Sequence, residues 1–225
     1  MGTLYFWRKI WPTKYDSNCT MARHYVSNKD ESVRMFKSDF MEWFSHIHPA
    51  TPIVLFVPVI VWMLYVASAD RGLSWGAILG LFLVGIAYWT LVEYLLHRFV
   101  FHYEPKSEWG KRLHFTMHGV HHDYPNDSTR LVMAPAVSIP LAFFFYFTTQ
   151  AVAGSTFTPA IFAGQVFGYL CYDTLHYATH HLSMKWSVFA HLKKQHLRHH
   201  YGDHSTGYGV TSPLWDIVFG TRARR

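Results

Sequence analysis

Ten of the 17 histidines in this 225-residue chain fall in four short clusters. The clusters are His97 with His102, His118 with His121 and His122, His176 with His180, and His196 with His199 and His200. Neutral imidazole is a common ligand of iron, zinc and copper. The density and spacing of these residues indicate a polyhistidine metal centre, and ten imidazoles are enough to hold two metal ions.

The spacing within the clusters is mostly helical. Residues three and four positions apart lie on one face of an α-helix, so we expect the histidines of each such cluster to point toward a single centre. His97 and His102 are five residues apart and suit a helix end or a distorted turn. Surface or structural roles are expected for the remaining histidines, the last three of which lie near the clusters: His24, His46, His48, His204, His114, His181 and His191.

Two carboxylates lie close to the clusters in sequence. Glu93 precedes His97 by one helical turn, and Asp173 precedes His176 by three residues. A carboxylate at membrane depth is costly without a partner, and a ligand imidazole has a second ring nitrogen that needs an acceptor. We therefore expect each carboxylate to bind an imidazole.

Two tyrosines lie within one turn before Asp173. Core packing is one interpretation of Tyr169 and Tyr172, and hydrogen bonding near the metals is the other. Together with Asp173 they are the candidate catalytic residues.

The chain alternates between apolar and polar stretches. Half of its residues are hydrophobic, yet the mean hydropathy is only +0.03. About 20 apolar residues are needed to cross a bilayer as a helix, and four stretches reach that length: residues 50–69, 73–96, 131–153 and 157–175. Very short connectors follow the first and third stretches, which predicts two membrane-spanning helical hairpins.

The basic residues predict the orientation of these hairpins. With four spans, both termini and residues 97–130 lie on one side, and that side holds all 20 Lys and Arg except Arg71. The positive-inside rule places this side, with both termini and all ten clustered histidines, in the cytoplasm.

The net charge of +6 suits anionic headgroups, and no aromatic residues interleaved with basic ones support nucleic-acid binding. The two cysteines, Cys19 and Cys171, are expected to be reduced.

The chain is predicted to have three parts. Residues 1–35 are a polar N-terminal segment, residues 36–221 a membrane-embedded domain, and residues 222–225 a basic tail. Near the start of the domain, apolar residues recur at helical spacing and predict an amphipathic helix in the membrane interface. They are Phe40, Trp43, Phe44 and Ile47.

Five stretches resemble a known family: EYLLHRFVFH at 93–102, HGVHH at 118–122, YDTLHYATHH at 172–181, LKKQHLRHHY at 192–201 and GVTSPLWD at 209–216. The chain resembles the fatty acid hydroxylase superfamily of membrane di-iron oxygenases, which includes sterol desaturases. It is most similar to the fatty acid 2-hydroxylases that act on sphingolipid acyl chains, and the resemblance covers about residues 36–221.

The resemblance implies an all-α membrane protein with four transmembrane helices under a cytosolic helical cap. The cap would hold a dimetal site with the ten clustered histidines as ligands. It also implies two iron ions and oxygen-dependent hydroxylation of the 2-position of fatty acids or of the fatty acyl chains of sphingolipids. Zinc also binds imidazole sites well and can occupy them in purified protein.

Family members differ in whether a cytochrome b5 domain is fused to the hydroxylase. His48-Pro49 is not followed by Gly-Gly here, so we expect electrons from a separate donor such as cytochrome b5, or ferredoxin and its reductase. The expected location is the endoplasmic reticulum for a eukaryotic chain and the inner membrane for a bacterial one.

Two alternative functions remain open at this point. A sterol or carotenoid hydroxylase or desaturase would use the same histidine chemistry on another substrate. A membrane metal-binding or transport protein would need polar ligands within its spans, whereas these ligands gather on one face.

Overall fold

The computed structural model describes residues 25–223, and this part of the chain is helical and contains no β-strand. The helices are α1 (Asp39–Phe44), α2 (Thr51–Tyr65), α3 (Trp75–Leu96), α4 (Glu108–His114), α5 (Val120–Asp123), α6 (Pro135–His181), α7 (Ser187–Tyr201) and α8 (Leu214–Val218). Three π-helical turns extend or join them: Val66–Asp70 after α2, His97–Phe101 after α3, and Phe115–Gly119 between α4 and α5. The prediction of an all-α protein is confirmed. His24 and most of the predicted N-terminal segment lie outside the described residues.

Three helices of the described range are long and apolar enough to cross a membrane: Thr51–Asp70, Trp75–Phe101 and Pro135–His181. The first two form a tight hairpin, because only a few residues separate Asp70 from α3. Ser74 caps α3 by accepting a hydrogen bond from the backbone N–H of Ala77. Both helices begin and end within a few residues of the predicted stretches.

The longest helix, α6, folds back on itself at Gly154. This residue has φ 75° and ψ 165°, a conformation outside the helical region that glycine adopts readily. Thr149 and Gln165 are joined by a hydrogen bond of 3.0 Å between Oγ1 and Nε2. In a straight helix residues this far apart in sequence would be about 24 Å apart. The two halves of α6 therefore pack against each other.

The core lies where α2 and α3 pack against α6. Its centre is aromatic: Trp89 lies edge-on to Tyr169 with ring centroids 5.5 Å apart, and Phe56 makes a similar contact with Tyr169 at 5.3 Å. Gly164 allows α3 and α6 to approach closely, since a Cβ atom there would lie 2.0 Å from the carbonyl oxygen of Phe82.

A layer of shorter helices lies at the His97 end of α3 and the His181 end of α6. Residues 25–47 run along the loop after α5, where the N–H of Ile47 donates to the Thr129 carbonyl at 2.7 Å. The buried Arg130 guanidinium pairs with Glu42 across the same junction. The predicted amphipathic helix is shorter than expected: α1 ends at Phe44, and Ile47 is buried beyond it.

Candidate metal centre

The ten clustered histidines converge in two groups of five, and within each group the candidate ligand nitrogens lie within 4.8 Å of one another. Group A is His97, His102, His118, His122 and His199; group B is His121, His176, His180, His196 and His200. The sequence-predicted residues are thus brought together without exception, and each group could hold a metal ion.

A π-helical turn brings together the pair with the unusual spacing. In the turn His97–Phe101 the backbone N–H of His102 donates to the carbonyl of His97 at 3.2 Å. This hydrogen bond spans five residues and places the two side chains on the same side, with their Nε2 atoms 3.3 Å apart. The expectation of a distorted turn is confirmed, and π-helical turns often occur at functional sites.

The expectation that each cluster points to one centre is wrong for two clusters. His118 and His122 belong to group A while His121 belongs to group B; likewise His199 belongs to group A while His196 and His200 belong to group B. Each helical residue rotates by about 100°, so positions i and i+4 differ by only about 40°. Position i+3 lies about 100° from position i+4 and faces the other group.

The Nε2 atoms of each group face one another. In group B, Nε2 of His121 lies 2.9 Å from that of His176 and 3.0 Å from that of His200. In group A, the closest pairs are His118 with His122 and His102 with His199, both at 2.9 Å. The groups adjoin one another, because the rings of His122 and His200 stack with centroids 4.2 Å apart.

Burial keeps these imidazoles neutral. Desolvation, reinforced by neighbouring imidazoles, lowers the pKa of His118, His121 and His200 well below the usual value. Burial and the neighbouring His199 lower the pKa of His102 to about 3. A neutral imidazole can direct a lone pair at a metal. Several lone pairs converging at about 3 Å repel one another unless a cation lies between them, so the donor set fits iron or zinc.

The predicted contact between Glu93 and an imidazole is wrong. Glu93 instead accepts hydrogen bonds from the backbone N–H groups of Val210 and Thr211 at 2.6 and 2.8 Å. These amides reach the carboxylate because residues 206–211 dock on α3. The second ring nitrogen of His97 finds its acceptor in the Tyr208 carbonyl, at 2.6 Å.

Asp173 also differs from expectation. Its carboxylate accepts from the backbone N–H of Met133 at 3.2 Å, while Nδ1 of His176 has no hydrogen-bond partner. Helix α6 turns the carboxylate of Asp173 toward the residue that precedes α6 by two positions rather than toward His176. The expected Asp173–His176 hydrogen bond is therefore wrong.

Histidines outside the clusters have varied surroundings. His114 hydrogen-bonds through Nε2 to the Phe101 carbonyl at 2.6 Å, which fits a structural role. His46 hydrogen-bonds to Thr129 at 2.8 Å. His204, which we expected at the surface, lies beside group A with its ring centroid 4.8 Å from that of His122.

A cavity of about 360 Å³ leads to both histidine groups. His118, His121 and His176 lie at its wall together with Tyr172 and Asp173. Most of the remaining lining is apolar and includes Phe36, Met41, Phe44, Phe101, Val132 and Met133. The sequence carries no signal for most of this lining, but the apolar face of α1 indicates part of it. Tyr169 lies apart from this cavity, in the aromatic core.

Comparison with known proteins assigns this arrangement to a family. The fatty acid hydroxylase family model matches residues 82–221, which include all ten clustered histidines. The chain belongs to the fatty acid hydroxylase family. The resemblance drawn from the histidine motifs is therefore confirmed.

Relatives of this fatty acid hydroxylase include dihydroceramide fatty acyl 2-hydroxylase FAH1 of Arabidopsis thaliana. It is 43% identical over 192 residues, covering 85% of this chain and 80% of the relative. The ceramide very long chain fatty acid hydroxylase SCS7 of Saccharomyces cerevisiae is 42% identical, covering 75% of this chain and 44% of its own length. A solved structure of full-length Scs7p, with only the hydroxylase domain visible, has a TM-score of 0.77 at 40% identity and covers 82% of this chain and 70% of that chain.

Proposed function

We propose that this fatty acid hydroxylase adds a hydroxyl group to carbon 2 of the fatty acyl chains of sphingolipids. The observation that carries the proposal is the largely apolar cavity that reaches histidines of both groups. An acyl chain fits apolar walls, and its reacting carbon must come close to the metals. Relatives at 33–43% identity are named as 2-hydroxylases of fatty acids or of dihydroceramide fatty acyl chains.

Groups A and B would each hold one iron ion through neutral imidazoles, and zinc fits the same nitrogens. When bound, the two irons supply the activation of dioxygen that attack on an unreactive carbon–hydrogen bond requires. Overall, one oxygen atom enters the acyl chain, and the other leaves as water after uptake of two electrons and two protons.

Tyr172 and Asp173 are proposed to orient the substrate. Tyr172 lines the cavity and stacks on the ring of His176, with centroids 5.6 Å apart. In this mostly apolar cavity the Tyr172 hydroxyl would donate a hydrogen bond to the acyl carbonyl, and the Asp173 carboxylate would accept from an N–H or O–H group beside it. Tyr169 is proposed to shape the channel for the acyl tail, because it lines a smaller cavity that shares Met133 with the main one.

The proposed setting is a membrane that the chain crosses four times. The reversal at Gly154 supports division of α6 into two spans. Both termini would face the cytoplasm, together with the cap that carries the histidines. Substrate would enter from the bilayer near α1, where Phe40 and Trp43 are largely exposed and Phe44 lines the cavity. Electrons would come from a separate donor protein, such as cytochrome b5 or ferredoxin with its reductase.

The test is expression in cells that make little 2-hydroxylated lipid, together with a cytochrome b5, followed by mass spectrometry of sphingolipid acyl chains. The intact chain should produce 2-hydroxy acyl chains. The His118→Ala chain should produce none, because a group A ligand is lost, whereas His48→Ala, which alters a histidine outside both groups, should retain activity. Hydroxylated sterols or carotenoids without 2-hydroxy acyl chains would contradict the proposal.

A further inference from the structure

The segment of residues 206–211 supplies acceptors to two histidines of group A. Nδ1 of His97 lies 2.6 Å from the carbonyl oxygen of Tyr208, and Nδ1 of His199 lies 2.8 Å from that of Thr206. A carbonyl oxygen only accepts, so each Nδ1 must carry the hydrogen. This tautomer leaves the lone pair on Nε2, the atom that faces the other group A histidines.

In the part of the chain that the structure describes, group B has no corresponding acceptors. Its Nδ1 atoms are all buried and none has a hydrogen-bond partner among the described residues: His121, His176, His180, His196 and His200. The two groups thus have the same ligand type in the same number, but among residues 25–223 backbone acceptors orient ligands in group A alone.

Two buried carboxylates hold the 206–211 segment in place. Glu93 accepts from the backbone N–H groups of Val210 and Thr211 and from the Thr211 hydroxyl. Asp216 accepts from the N–H groups of Tyr208 and Gly209 at 3.0 and 2.8 Å. Both carboxylates are at most 4% exposed, and a buried carboxylate that accepts several hydrogen bonds fixes the backbone it contacts.

The 206–211 segment docks on the face of α3 that continues into the ligand His97. Thr90, Glu93, Tyr94 and His97 follow one another at helical spacing along this face. Thr90 accepts from the indole N–H of Trp215 at 3.0 Å, and the Tyr94 hydroxyl lies 2.9 Å from Oγ1 of Thr221. The chain after the 206–211 segment is therefore anchored to α3, the helix that leads directly into the ligand His97.

We infer that the 206–211 segment fixes the ligand geometry of the group A metal position only, and that Glu93 and Asp216 are positioning residues acting through it. The inference rests on the proposed function, because it assumes that each group holds one metal. Loss of an outer partner of a metal-bound histidine typically weakens metal affinity about 10- to 100-fold. Weakening the segment should therefore affect one of the two metals.

The test measures metal per chain by mass spectrometry on purified full-length protein, across a series of chelator concentrations. Asp216→Asn should lose one of two metals at a chelator concentration roughly 10- to 100-fold lower than wild type requires, and Glu93→Gln should act in the same direction. Asp127→Asn is the matched control: Asp127 is equally buried and accepts from Ser32 and Thr129, outside the 206–211 segment. It should retain both metals.

Double variants identify which metal is lost. His118→Ala removes a group A ligand and should leave one metal; adding Asp216→Asn should change nothing further. His196→Ala removes a group B ligand, so adding Asp216→Asn should release the remaining metal. If Asp216→Asn does not yield a monodisperse protein, Thr211→Val, which removes one hydrogen bond to Glu93 and keeps the side-chain shape, should show the same effect at smaller size.

The outcomes distinguish failure of the two-metal assignment from failure of this inference. Wild-type protein with fewer than two metals per chain would contradict the two-metal assignment and with it this inference. The inference would be overturned if wild type holds two metals and Asp216→Asn or Thr211→Val either releases both together or retains both as firmly as Asp127→Asn does. The proposed function would then still stand.

Discussion

Tyr172 combines an aromatic face with a polar end at the position where chemistry is proposed. Its ring lies against His176, and it lines the cavity that reaches both histidine groups. Tyr169 is one turn earlier on α6, and its ring packs instead against Phe56 and Trp89. The pair offers a matched comparison, because the same atom is removed inside and outside the main cavity.

Tyr172→Phe should lower kcat/KM for acyl 2-hydroxylation by about 10-fold, since a hydrogen bond to substrate contributes about 1–1.5 kcal/mol. Tyr169→Phe should stay within about 2-fold of wild type, because phenylalanine preserves the packing of its ring against Phe56 and Trp89. The measurement is a product-against-time assay in membranes at several substrate concentrations, with metal content checked in parallel. Equal losses in both variants would argue against an orienting role for Tyr172.

At the scale of residues, the sequence predicted which histidines form the site but not how they divide between the two groups. Residue type and spacing alone selected the ten histidines that the structure brings together. Their division between groups A and B follows from the rotation of the helix. It also requires the two groups to lie side by side, which the sequence does not show. The acceptors of His97 and His199 could not be predicted, because they are backbone carbonyls and carry no side-chain signature.

Among the elements, α3 and α6 form the closest packed pair around Gly164. A methyl group at this position would lie 2.0 Å from the Phe82 carbonyl oxygen, so the helices would have to separate. Gly80, on α3, has no atom within 4 Å of the corresponding position. Small residues allow this kind of backbone approach between membrane helices.

Gly164→Ala should destabilise the protein by about 1–3 kcal/mol, the typical cost of overpacking. Gly80→Ala should be neutral or slightly stabilising, because alanine favours a helix and meets no neighbour. Thermal unfolding in detergent, followed by tryptophan fluorescence, compares the two. An unchanged midpoint for Gly164→Ala would show that the two helices separate more readily than their packing indicates.

The apolar elements were predictable from composition, and the cap elements were not. The start of α3 and the break at Gly154 agree with the apolar stretches read from the sequence. The π-helical turns His97–Phe101 and Phe115–Gly119 have no apolar periodicity of their own. Their conformation depends on where neighbouring histidines must meet, which is a tertiary constraint.

For the whole molecule, the central expectation is that the histidine cap and the hairpin turns lie on opposite sides of a membrane. The chain has exposed positions at both places: Asp70 and Ser155 at the turns, and Ser205 in the cap. With four spans, all Lys and Arg of the sequence except Arg71 would fall on the cap side, which is why we propose that this side faces the cytoplasm.

Single cysteines in a background without Cys19 and Cys171 should report this topology. In sealed vesicles with the cytoplasmic face outward, Ser205→Cys should react with a membrane-impermeant maleimide. Asp70→Cys and Ser155→Cys should react only after detergent is added. Reaction of Ser155→Cys before detergent would mean that α6 does not enter the bilayer as two spans.

The distribution of ligands along the chain has a consequence for biosynthesis. Both groups include histidines of α7: His199 belongs to group A, and His196 and His200 belong to group B. A ribosome that has already delivered α2, α3 and α6 to the membrane has therefore completed neither centre. We therefore expect metal insertion to follow translation of α7. By then about eight to nine tenths of the chain has been made, and α7 supplies the remaining histidines of both groups at once.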